Sequence, residues 1–169
     1  NLAEKGTHPE AITLLIEAGA DENARHPEGF FPLLVAVQSK RSAEFVQTLL
    51  DAGAEVDAKI DPGFTPLLMA AMYAEDERVV KALLDAGADA NSIFEGMGVT
   101  PLLLASTSTK NPAIMHALLD AGADPDFTDP TGKTVLMYVR QNYALKDTDV
   151  VARVEALLGV KSETAEVNP

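Results

Sequence analysis

Cysteine and tryptophan are both absent, aromatic residues make up only 5% of the chain, and basic residues number 13 against 26 acidic ones. The lack of cysteine removes disulfides, thiolate nucleophiles and cysteine-based zinc sites together. It leaves the redox compartment open, because a cysteine-free chain is stable in either state. The shortage of Lys and Arg gives a net charge of -13, which disfavours nucleic acid, whose phosphates require a basic patch. It disfavours anionic membrane surfaces for the same reason. Such acidity suits a basic protein partner, or serves solubility alone. No stretch approaches the roughly 18 apolar residues of a membrane-spanning helix. With 47% hydrophobic and 23% charged residues in 169, the chain can bury a sizeable core within one domain. The first residue is Asn1, not Met, so the chain is expected to be processed or trimmed. No signal peptide is visible, which leaves a cytoplasmic location or, had one been removed, a periplasmic one.

What the sequence does have is a period. The segments LLIEAGA (14–20) and LLDAGA (49–54, 83–88 and 118–123) place Gly19, Gly53, Gly87 and Gly122 at intervals of 34, 34 and 35. A second series, FPLL (31–34), TPLL (65–68 and 100–103) and TVLM (134–137), recurs at 34, 35 and 34. The turn glycines Gly29, Gly63, Gly98 and Gly132 repeat with the same spacing. Three markers holding one period identify a repeat architecture.

Each marker has a physical task. Thr65-Pro66 and Thr100-Pro101 read as N-cap and first helical residue: the hydroxyl accepts an orphan N–H, and proline lacks the N–H that would be orphaned. A short apolar helix starts there. A second helix starts at Ser42, Asp76, Asn111-Pro112 and the His8-Pro9 pair, with apolar residues at helical spacing such as Val79, Val80, Leu83 and Leu84. It stops at the Ala-Gly-Ala glycine, a left-handed C′ position. An extended excursion with turn residues at its tip, such as Asp61-Pro62-Gly63, leads to the next unit. No such unit buries its apolar face alone, so neighbours must stack into a continuous core.

The stretches GADENARHPEGFFPLL (19–34), GAEVDAKIDPGFTPLLMAA (53–71), GADANSIFEGMGVTPLLLAS (87–106) and GADPDFTDPTGKTVL (122–136) resemble the ankyrin-repeat family. With flanking helices the match covers about residues 2–158. The resemblance implies an all-α ankyrin-repeat solenoid of helix-turn-helix units joined by β-hairpin-like fingers. Three departures stand out. Leu34, Leu68, Leu103 and Met137 occupy the place of the family's His, so apolar packing must replace its hydrogen bonds. The inter-helix turns at 38–44, 72–78 and 107–113 are about one residue longer than the family norm. The third finger, 93–99, has an extra residue. We expect a single domain over 1–160, its first unit partial (Leu2-Ala3 being the tail of a helix) and its last a cap. Arg140–Thr148 reads as a long polar turn, 149–158 as the last helix, and 161–169 as a flexible tail.

Chemistry is sparse. His8, His26 and His116 fall in different units, and no His/Asp/Glu cluster has metal-ligand spacing. Glu75-Asp76-Glu77 sits favourably at a helix start. Gly96-Met97-Gly98 is a finger tip by phase, not a phosphate loop. No Ser or Thr has a phased His partner. The expectation is no enzyme, no cofactor and no metal. Ankyrin-family proteins bind other proteins with finger tips and the short-helix face. Carried onto this sequence, the tips are 25–30, 59–64, 93–99 and 128–133, and the short-helix ends are Gln38-Ser39, Met72-Tyr73, Thr107-Ser108 and Gln141-Asn142. Phe30, Phe64 and Val99 share the phase before the Thr-Pro pair that often faces a partner. Phe30 and Phe64 either contact a partner or pack against the next finger. Ile93, Phe94, Met97, Met72 and Tyr73 add apolar surface where solvation is usual. Glu28, Asp61, Glu95 and Asp129 would favour a basic partner. The function implied is protein binding of adaptor or scaffold type by a chain monomeric before binding. The alternative is a stoichiometric inhibitor or immunity protein of a basic enzyme, possibly a periplasmic bacterial hydrolase.

Overall fold

A computed structural model describes residues 9–160. The expected start at His8, the helix tail at Leu2-Ala3 and the tail at 161–169 lie outside the described residues. Nine helices form among them: α1 Pro9–Glu17, α2 Pro32–Gln38, α3 Ala43–Asp51, α4 Pro66–Tyr73, α5 Glu77–Asp85, α6 Pro101–Ser108, α7 Pro112–Asp120, α8 Val135–Gln141 and α9 Asp149–Leu157. The even-numbered helices stack on one another as an inner row. The odd-numbered ones from α1 to α9 form the outer row. Each outer helix from α3 onward packs on the inner helix before it. The result is an all-α solenoid of stacked helix pairs, as the resemblance implies.

The caps form where the sequence placed them. Thr65 Oγ1 accepts Leu68 N–H at 3.2 Å, Thr100 Oγ1 accepts Leu103 N–H at 3.4 Å and Ser42 Oγ accepts Phe45 N–H at 3.3 Å. Asp76 and Asn111 cap the next two outer helices through Arg78 and Ala113 N–H. Each such cap stabilises its helix by ~1 kcal/mol. The outer helices end at the repeat glycines. At Gly53, φ is +103°, a conformation a Cβ would strain.

The middle inner helices, α4 and α6, bury residues all round because an inner helix covers each flank. In α4, Pro66 through Ala71 are all buried between α2 and α6. Among the outer helices, α5 buries Val79, Val80, Ala82 and Leu83 and leaves Leu84 half-exposed. The Leu residues at the family's His position, Leu34, Leu68 and Leu103, are buried as expected. Met137 is not: it is 51% exposed, so packing does not replace the His in the last unit. A hydrogen-bond ladder contributes instead. Asn23 Nδ2 donates to Gly53 O at 3.1 Å while its Oδ1 accepts Glu55 N–H at 2.8 Å. Asn91 repeats both bonds with Gly122 O and Asp124 N–H.

The 140–148 segment also departs from expectation. Arg140 belongs to the last turn of α8 and donates to Glu155 at 2.6 Å. The turn beyond it is pinned by Leu145, which is fully buried. Leu145 follows the exposed Tyr143 and the half-buried Ala144 in a short run with no helical or strand periodicity, so the sequence pattern hides it.

Candidate protein-binding surface

Short hairpin-like fingers project between units. Ile60 pairs with Phe64, Phe94 with Val99, and Thr128 with Thr134, each antiparallel. The third finger spans one residue more between its paired positions than the second, as the sequence spacing indicated. Fingers two and three interlock. The Phe64 and Phe94 rings meet edge to face, with centroids 4.8 Å apart and planes at 88°, a favourable geometry for their quadrupoles. A Cβ on Gly96 would lie 3.1 Å from both the Phe94 ring and Pro62, so the absence of a side chain lets the two tips close.

Beside this ring pair lies a groove of about 340 Å³, lined by Gln38, Lys40, Phe64, Met69, Met72, Tyr73, Phe94 and Met97. Six of the residues singled out from the sequence (Gln38, Phe64, Met72, Tyr73, Phe94 and Met97) are thereby brought together, from two fingers and two inner helices. Tyr73 and Met97 are the open lips, 47% and 55% exposed. Phe64, Phe94 and Met72 are half-buried and packed on the core. The two expectations for Phe64 therefore merge: it packs against the next finger and presents its remaining surface to the groove. Met69 and Lys40 were not singled out, whereas Gln38 was expected on this surface as the exposed end of a short helix. Met69 is a buried inner-helix residue by pattern, and Lys40 reaches the groove from a left-handed turn (φ 53°). The Lys40 ammonium is held by Glu75, which keeps the Glu75 carboxyl below its usual range through that hydrogen bond.

Other candidates are placed differently. Val99 is a correction: it is only 5% exposed and belongs to the core, its carbonyl accepting Phe94 N–H at 2.9 Å. Asp129 is a second. Its carboxylate accepts Thr131 N–H and Oγ1–H, Lys133 N–H and, at 2.6 Å, the Tyr138 hydroxyl. The hydrogen bonds from Thr131 and Tyr138 hold the carboxyl far below the ordinary carboxylate range. Asp129 thus closes the fourth finger instead of facing outward. Ile93 is exposed but stands outside the groove. Asp61, Glu95 and Glu28 are exposed at finger tips.

Phe30 and Glu28 line a larger groove of about 840 Å³ with Phe31, Val35, Arg41 and Phe45, at the first described units of the stack. Gln38 lines both this groove and the one beside Phe64, so the two adjoin there, although Phe30 itself lines only the larger one.

Among the described residues no group of three or more His, Asp or Glu is placed to hold a metal ion, and no helix is long and apolar enough to cross a membrane. A scan against protein-family models matches ankyrin repeats (3 copies) over residues 1–94 and again over 33–129. No curated protein matches the chain. The repeat period, the stacked helix pairs with intervening fingers and the family match agree, and the chain belongs to the ankyrin-repeat family, whose repeats mediate protein–protein interaction.

Proposed function

We propose that this chain is a non-catalytic, adaptor-type module, monomeric before binding, that holds a protein with a basic surface. The contact is centred on the groove between the second and third fingers. The observation that carries this reading is the convergence of Phe64, Met72, Tyr73, Phe94 and Met97 on one partly open apolar groove. Aromatic and methionine anchors rimmed by charge are the usual make-up of an interface hot spot. The open side chains cost little to substitute, so they separate binding from folding. Partner capture from a native lysate should require the groove: the Tyr73→Ala/Met97→Ala chain should melt within about 2 °C of the parent and lose the captured protein. Equal capture by both chains would move the interface elsewhere. The longer third finger, with Met97 exposed at its tip, favours a second reading as a stoichiometric inhibitor inserted into an enzyme cleft. In that case a captured hydrolase loses activity at one equivalent.

A further inference from the structure

The groove is small, soft and unevenly charged. Its volume of about 340 Å³ lies at the low end of sites that enclose a ligand, roughly 300 to 1,000 Å³. That admits one or two side chains and not a helix face. Three of the chain's 5 methionines line it. Unbranched thioethers adapt to a long or aromatic side chain without selecting one shape. The ring pair of Phe64 and Phe94 lines one side of it.

Charge decides what flanks the anchor. Among the described residues Lys40 is the only cation lining the groove, and Glu75 already holds it. Asp61 and Glu95, on the two fingers that flank the groove, have no ion-pair partner among the described residues. Glu95 leans on Gly63 of the neighbouring finger, 3.6 Å from where a Cβ would stand, so one open carboxylate lies in the seam between the tips. Lys59 lies toward the first finger, its carbonyl accepting Arg25. A second copy of this chain is a poor occupant, because each copy carries -13 and like charges repel at an interface.

We infer that the groove receives one long apolar side chain, of the Met, Leu or Phe kind, carried on an extended partner segment with lysine or arginine on either side. This rests on the protein-binding reading above and specifies its recognition element. The anchor fills the space between Met72, Met97 and the ring pair, while its cationic neighbours meet Asp61 and Glu95.

The test is selection of a displayed random 12-residue peptide library against the whole chain, its Tyr73→Ala/Met97→Ala form and a charge-reversed Asp61→Lys/Glu95→Lys form. The altered residues are exposed apart from their groove contacts, so folding is checked by melting alone. The parent should enrich peptides with one large apolar residue between Lys or Arg. Their affinity should fall about tenfold on the alanine form and about fivefold between 50 and 500 mM NaCl. The charge-reversed form should enrich Asp or Glu at the flanks. Identical flanks on parent and charge-reversed chains overturn the inference while leaving the groove as a binding site. The same holds if no peptide distinguishes the parent from the alanine form although lysate capture still needs Tyr73 and Met97, since the partner then presents a folded surface. If lysate capture is equally indifferent to both residues, the protein-binding reading of this groove falls with it.

Discussion

Ser92 occupies the repeat position where Ala24 and Ala58 stand, and its buried hydroxyl has no hydrogen-bond partner among the described residues. Removing a buried group that makes no bond recovers its desolvation cost. Ser92→Ala should therefore stabilise the chain by ~1 kcal/mol, seen as a higher urea midpoint at unchanged slope; a lower midpoint would show that the hydroxyl has a partner after all. Asp57 is the mirror case. It holds the ladder position of Asn23 and Asn91, but a carboxylate only accepts, here Asp89 N–H at 3.2 Å. Asp57→Asn would supply the missing donor toward the Gly87 carbonyl and remove one charge from an acidic surface. The expected gain is ~0.5–1.5 kcal/mol, measured in the same urea experiment, and no gain would mean the amide cannot reach. The 34-residue spacing of these three positions stands in the sequence. Their cross-unit bonds do not, because a side chain's partner in the next unit is set by stacking.

At the scale of the element, helices and caps were legible because their signals are local. Thr-Pro, Asn-Pro and the Ala-Gly-Ala stop act within one turn of chain, and all the caps assigned to Ser42, Thr65, Asp76, Thr100 and Asn111 formed. The fingers were legible in position but not in outcome. Phe30, Phe64 and Val99 share a phase, yet one lines the larger groove at the first described units, one the central groove and one the core. What separates them is the neighbouring unit and the extra residue of finger three. Contacts between fingers are correspondingly tight. Gly98 has φ +63°, and a Cβ there would lie 2.8 Å from Pro130 Cγ of the fourth finger. Gly98→Ala should open the seam between fingers three and four, with faster amide exchange at Phe94 and Asp129 N–H and little change in the outer helices. Uniform exchange across the chain would make the finger part of the global unfolding unit. The fourth finger also titrates. Because the Asp129 carboxyl is depressed by its Thr131 and Tyr138 bonds, it stabilises the fold fully above the ordinary carboxylate pKa. That contribution fades as pH falls below it. Asp129→Asn should lower the melting temperature at neutral pH and flatten its fall between about pH 5 and pH 2. An unchanged acid limb would place the titration elsewhere.

Over the whole molecule, charge is not spread evenly. The turns that follow the outer helices, 17–23, 51–57, 85–91 and 120–126, contain acidic residues and no Lys or Arg. The units stack in register, so these turns form a row of like charge along the solenoid. Adjacent helices pack about 8–10 Å apart, close to the screening length of about 8 Å at physiological salt. Neighbouring units therefore repel in dilute buffer and much less in concentrated salt. Ion pairs act in the opposite sense: Arg78 with Asp76 and Glu44, and Arg153 with Asp120, tie adjacent residues and units together. These pairs are largely exposed and each contributes little, so the row should win. Raising NaCl from 10 to 500 mM should raise the melting temperature, while the same change weakens binding of a cation-flanked partner at the groove. One charge distribution thus gives two salt dependences of opposite sign, separable by melting the chain alone and titrating partner into it. A melting temperature that falls with salt would mean the inter-unit pairs outweigh the acidic row. The stacked turns would then no longer account for how this chain carries a charge of -13.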